Sequence, residues 1–442
     1  MSYKIISKAI VILAMLTACT TNNPAPITGL PPHRTMERPH RTNETEADTT
    51  HDTNHHPIPF TVLHKQPATH RGLYEPNNGV YLGAWLRQET TFRAFETAVG
   101  KRHAVFVNEL FLGEDLPVTW LLQCIAAQAT PLFIIHAPDD EITEIETEYN
   151  NVFNTDYFLE EYSISPEEHI VELAKRMGAF NLPMFVAFYP PGHNLTPSEY
   201  TILFRYARAV FMAYAPLVSF VWVAPDTKTT LSNPFYPGHD SVDWVGVSLF
   251  SERDESGFKQ DILDVFDPFY REFSLHKPIM ILPLGISHLS SINFGYSINC
   301  ASQEIKRVYN AFAASFPRVG LVVYGDAFII DAYSSDDFSI TLDRELTESY
   351  ATAISCEAFL SVLDKNASAG FRGGHQWVRS AFSGYYYNNN IYVDTLTLSS
   401  EINIQPPRTT KEINGRLFAE ARRISGHTIT YCAERMIIFI DD

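Results

Sequence analysis

From Gly79 onward, short and wholly apolar runs alternate with longer amphipathic stretches. The short runs fall at 80–85, 103–107, 132–136, 184–189, 218–223, 244–250, 279–282 and 321–324, and each predicts a β-strand. The stretches at 167–177, 197–214, 260–273 and 304–316 have apolar positions at helical spacing. Strands that are apolar on both faces and separated by helices imply a parallel sheet covered on both sides. Eight such units fit a closed (β/α)8 barrel of the α/β class better than an open sheet. The barrel is expected to span 73–350, with its chemistry at the C-terminal strand ends.

The flanking segments read differently. Residues 20–72 are rich in Thr, Pro, Asn and His, and Pro24, Pro26, Pro31, Pro32 and Pro39 block regular structure. They predict a flexible, solvated tether. Residues 351–387 read as a closing helix (352–363) and a polar, glycine-rich linker (366–374). The last stretch, 388–442, predicts a small α+β module, with strands at 391–393, 402–404, 428–431 and 436–440.

At the N-terminus, Lys4 and Lys8 precede an apolar run at 9–16. The run is shorter than the ~20 residues of a spanning helix and reads as a signal-peptide core. Leu16-Thr17-Ala18-Cys19 resembles the lipobox of bacterial lipoproteins. That resemblance implies cleavage before Cys19, diacylation of Cys19, and a mature chain anchored to the membrane on the extracytoplasmic face of the cell envelope.

The chain has 442 residues, of which 33 are basic and 51 acidic, giving a net charge of −18. So large an acidic excess argues against a phosphate-gripping face, so no nucleic-acid partner is expected. Five cysteines are too few for a disulfide scaffold. Cys124, Cys300, Cys356 and Cys432 match no zinc-ligand spacing, and both a disulfide and free thiols remain open for them. His193, His239 and His288 form no metal motif, so neither metal nor other cofactor is expected.

Several strings resemble the glycoside hydrolase family 26 β-mannanases. Gly79-Val80-Tyr81-Leu82-Gly83-Ala84-Trp85 is similar to that family's first strand, and Phe220-Val221-Trp222 to its fifth. Phe235-Tyr236-Pro237-Gly238-His239-Asp240-Ser241-Val242-Asp243-Trp244 resembles the approach to strand six, and Lys277-Pro278-Ile279-Met280-Ile281 the start of strand seven. The resemblance implies a retaining hydrolase, which needs two carboxyl groups about 5–5.5 Å apart. In the family these are glutamates ending strands four and seven. Here the position matching the nucleophile is Pro283, and Pro190-Pro191 stands near the place of the other glutamate. Glu199, Glu252 and Asp326 are weak substitutes among the strand-end acids, alongside Asp226 and Asp254. Trp85, Tyr189, Trp222, Tyr236, Phe250 and Tyr324 lie at or near strand ends and are the candidate sugar-stacking residues.

The stretch 388–442 resembles the copper amine oxidase N-terminal-like domain through Gly415-Arg416-Leu417-Phe418, Ala421-Arg422 and the two closing strands. The family's Val-Pro between aromatic and arginine is Ala419-Glu420 here. That domain supplies no copper ligands, so the implied role is structural or envelope-binding. The sequence therefore predicts a lipid-anchored, degenerate glycosidase barrel: a non-catalytic surface protein that binds polysaccharide or an envelope component. Its alternatives are a β-mannan-type hydrolase with relocated carboxylates, and a spacer presenting the C-terminal module.

Overall fold

The structure is a computed structural model that describes residues 56–67, 71–87, 89–136, 166–188, 195–254, 257–290, 294–330, 335–366, 375–433 and 435–441. Cys19, Tyr189, Pro190, Pro191 and His193 lie outside them. Ahead of the barrel runs β1 (Ile58–Pro67). The barrel strands that follow are β2 (Val80–Leu86), β3 (Val105–Phe111), β4 (Thr130–His136), β5 (Met184–Phe188), β6 (Val218–Val223) and β7 (Trp244–Asp254). After the short β8 (Gly257–Phe258) come β9 (Ile279–Ser290) and β10 (Val319–Asp326). Each barrel strand pairs in parallel with the next, and β10 closes the ring on β2 from Leu321↔Tyr81 to Asp326↔Leu86. All eight expected strands are present.

The two-residue period of a strand sorts its side chains into two layers. Tyr81, Val105, Val107, Leu132, Ile134, Phe185, Val221, Met280, Leu282 and Leu321 fill the interior of the barrel. Their neighbours Leu82, Phe106, Phe133, Val186, Phe220, Val245, Ile281 and Val322 face outward beneath the helices. Those helices are α1 (Phe92–Val99), α2 (Val118–Ala127), α3 (Pro166–Ala179), α4 (Pro197–Tyr214), α5 (Ile262–Phe273), α6 (Ile298–Ser315) and α7 (Arg344–Ile354). The connection from β6 to β7 has no α-helix, only a 3-10 turn at His239–Ser241. Among the described residues no helix is long and apolar enough to cross a membrane.

The sixth and seventh strands run well past the expected ends at 250 and 282. Their pairing continues to Arg253↔Ser290 across a register shift beside Pro283. An irregular ladder tolerates a residue without an N–H, so the proline that looked like a strand end lies within a strand. The closing helix lies earlier than expected, at Arg344–Ile354, because the Asp343 side chain caps it by accepting from Leu346 N.

Beyond the barrel lie β11 (Phe328–Ile330), β12 (Ser335–Asp337) and β13 (Phe359–Leu360), the last pairing with β2. The C-terminal sheet comprises β14 (His375–Arg379), β15 (Gly384–Tyr387), β16 (Asn390–Asp394), β17 (Thr410–Ile413), β18 (Arg416–Glu420), β19 (Thr428–Cys432) and β20 (Ile437–Asp441), together with β1. Among the described residues its helical content is limited to short turns at Thr397–Glu401 and Ala421–Arg423. Asn414 and Gly415, at φ 50° and 77°, make the tight turn between β17 and β18 that an Asn-Gly pair favours.

The sheet corrects two expected boundaries. Residues 58–67, expected in the tether, form β1 at the centre of the sheet, parallel to β20 and antiparallel to β14 and β15. Phe60 and Val62 enter its core, and His64, one of the tether histidines, is buried. The module also begins at His375, ahead of its expected start at 388. Between β1 and the barrel, Leu73 O accepts from Trp244 Nε1 at 2.8 Å and from Ser219 Oγ at 3.3 Å, fixing this segment beneath the barrel. Arg379 of β14 ties the sheet to the barrel helices through Asp267 at 2.8 Å and the Phe316 ring.

Candidate functional site at the barrel mouth

The inward phase of the first three barrel strands ends in polar chemistry. On β3 the phase Val105, Val107 continues to Glu109, and on β4 the phase Leu132, Ile134 continues to His136. His136 Nε2 donates to Glu109 Oε1 at 3.0 Å, and the exposed Phe111 ring lies 5.2 Å from the imidazole. Trp85 holds the matching phase on β2, half-buried against the inner core. The backbone N–H of Glu109 donates to Asn108 Oδ1, which steadies the acid's own residue. The pair leaves Glu109 with acceptor capacity on Oε2, which suits hydroxyl-rich ligands. Sequence reasoning missed both residues. The available signal was their position, in phase with the interior residues of their own strands.

The opposite side of the mouth is filled. A Cβ at Gly285, two residues beyond Pro283, would stand 2.7 Å from the Phe250 ring and 2.8 Å from the Phe338 ring. Those rings pack 5.2 Å apart, and Tyr324 OH donates to Phe338 O at 3.0 Å. Next to them His288 Nε2 lies 3.2 Å from Asp337 Oδ2, and Ser339 donates to Asp337 Oδ1 through both N and Oγ. Burial works to raise the Asp337 carboxyl, but the hydrogen bonds from His288 and Ser339 outweigh it and hold it below its ordinary value. The Ser339 hydroxyl bonds to the acid and not to the imidazole, so the three are not wired as a nucleophile with its base.

The expected substitute acids are committed elsewhere. Glu199 completes a capping box with Thr196 at the start of α4. Glu252 pairs with Lys259 at 2.6 Å. Asp326 is fully buried and accepts from Ile340 N, Thr341 N and Thr341 Oγ1. Asp226 accepts from Lys228 N and Thr229 Oγ1 in a local turn.

Three of the expected stacking aromatics are also relocated. Trp222 and Tyr324 have no exposed surface; both fall in the outward phase of their strands and pack beneath the helices. Tyr236 packs on Trp222 and on Phe273 at the end of α5, away from the mouth, with its OH on His239 Nδ1. Trp85 and Phe250 remain at the mouth, on opposite sides. The four described cysteines other than Cys19 are free, and burial pushes the Cys124 thiol well up. Among the described residues no three His, Cys, Asp or Glu side chains are grouped to hold a metal.

No family model matches the chain, and no curated protein does. Among solved structures it is similar to GH26C from a Muricauda species, with 12% identity over 65% of this chain and 88% of that one, at a TM-score of 0.46. It is also similar to a modular endo-β-1,4-mannanase from Cellulomonas fimi, with 12% identity over 83% and 97% of the two chains, at 0.45. Cel5A from Thermotoga maritima gives 10% identity over 64% and 99%, at 0.41. The barrel stands on its own strand pairing and not on these likenesses.

Proposed function

We propose that the barrel is a non-hydrolytic glycan-binding domain that holds a neutral polysaccharide over the ends of β2, β3 and β4. The observation that carries this reading is the seventh-strand position. Pro283 has no nucleophilic atom, and Phe250 and Phe338 close over the strand just beyond it. Support comes from Trp85, Glu109 and His136 on the open side, and from the motifs shared with family 26 hydrolases of polysaccharides. We further propose that acylated Cys19 anchors the chain to the envelope and that the C-terminal module has a structural or envelope-binding role. The lipobox-like string and the resemblance to the copper amine oxidase N-terminal-like domain support these two readings.

A hydrolase reading has one observation in its favour, the Glu109–His136 pair at the mouth. The test is incubation of the purified protein with mannans, glucans and peptidoglycan-derived glycans, scoring retained polymer and new reducing ends together. Binding without new reducing ends, lost in Trp85→Ala and Glu109→Gln, is the expected result. Reducing ends abolished by Glu109→Gln would establish a hydrolase instead. Neither binding nor turnover would leave the spacer role. Palmitate incorporation that disappears in Cys19→Ser is the expected result for the anchor.

A further inference from the structure

The C-terminal sheet carries a second cluster of different chemistry. Residues 375–442 hold seven Arg and Lys against seven Asp and Glu, so the whole net charge of −18 resides in the rest of the chain. Three of those cations converge. Arg423 Nε donates to Glu420 Oε2 at 2.8 Å, and Arg422 forms an ion pair with Glu420 Oε1, its Nε at 2.5 Å. Glu420 pairs in register with Tyr392 across β16 and β18. Lys411 Nζ stands 3.8 Å from the Tyr387 ring centroid and 5.6 Å from that of Tyr392. Two guanidinium groups therefore share one carboxylate, and an ammonium lies over two tyrosine rings, one of them the register partner of that carboxylate.

Exposure decides what the cluster offers. The Arg422 and Arg423 side chains are 60% and 48% exposed, so both guanidinium groups are open to a ligand while they hold Glu420. Lys411 meets aromatic rings and, among the described residues, no carboxylate. A pair of positive charges is thus uncompensated within the cluster. Guanidinium groups take phosphate or carboxylate in a bidentate fork, and the half-buried Tyr387 ring supplies apolar contact beside Lys411. Screening over about 8 Å at physiological salt lets this neutral module act apart from the acidic remainder of the chain.

We propose that Lys411, Arg422 and Arg423 form a binding site for an anionic saccharide, one bearing phosphate or carboxylate groups. The site is independent of the neutral-glycan reading of the barrel mouth. The test uses the full chain and four immobilised probes: polygalacturonate, a phosphomannan, a neutral galactomannan and single-stranded DNA, at about 0.02 and 0.2 M salt. The expected result is salt-sensitive retention on the anionic saccharides. Affinity should fall roughly tenfold in Lys411→Gln and further in Arg422→Gln/Arg423→Gln. Glu109→Gln should leave that retention unchanged while affecting the neutral polymer. The stronger of the two anionic arms identifies the substituent. Because Glu420 is left unpaired in the double variant, Lys411→Gln is the deciding one if the double variant unfolds. Retention indifferent to Lys411→Gln, or DNA held as tightly as the saccharides, would overturn the proposal.

Discussion

Arg318 grips Glu75 with two guanidinium nitrogens, Nε to Oε1 at 3.1 Å and Nη2 to Oε2 at 3.0 Å. Both residues are buried, and Arg318 Nη1 donates to Ser274 O at 2.8 Å. The pair fixes the segment between β1 and the barrel to the barrel's underside. Breaking one partner of a buried pair strands the other charge, so Glu75→Ala should cost about 3–5 kcal/mol in denaturant unfolding. The apolar double variant Glu75→Leu/Arg318→Met should recover most of that loss. A single variant within about 1 kcal/mol of wild type would contradict a structural role.

The central position of β1 predicts that the C-terminal sheet depends on an N-terminal strand. Val62 is 1% exposed in the sheet's core. Val62→Asp buries an unpaired charge there and should detach the sheet. Limited proteolysis would then cut within 375–441 while the barrel persists. Unchanged resistance in that region would count against the assigned place of β1.

His103 predicts acid sensitivity. Burial drives its pKa down from 6.5 to about 3, and its Nε2 meets Tyr350 OH at 2.9 Å. Between those two values the unfolded chain binds a proton that the native imidazole refuses. Its contribution to stability is therefore complete above about pH 6.5 and declines as pH falls toward 3, by about 1.4 kcal/mol per unit. Thermal unfolding of His103→Asn across that window should show a shallower decline than wild type; equal slopes would refute this.

Asp326 and Glu199 should behave as structural residues. Asp326→Ala strips the acceptor from Ile340 N and the Thr341 hydroxyl, at an expected cost of about 1–3 kcal/mol. Glu199→Ala should lower the melting temperature modestly through the lost α4 cap. Neither should change glycan retention. A variant that folds normally yet loses binding would return that acid to the site.

The barrel was legible in the sequence because parallel strands buried on both faces must be continuous apolar runs, and eight of them recur at helical separation. That position 283 is a proline, without a side-chain nucleophile of its own, was equally legible. The module's β1 was not. Its alternation at Phe60 and Val62 lies among Pro, Thr and His, and its partners on β14 and β20 lie more than 300 residues later. Nor could composition rank the strand-end aromatics. Trp85 and Trp222 are the same side chain at the end of similar runs, yet one faces the mouth and the other the helix layer. A shift of one residue exchanges the two faces of a strand, and only the closed barrel defines which face is inside. The sequence alone determined that there is a barrel and that a proline stands at position 283 of it. The tertiary structure decided that Glu109 and His136 meet, because that contact requires two neighbouring strands in fixed register around a common interior.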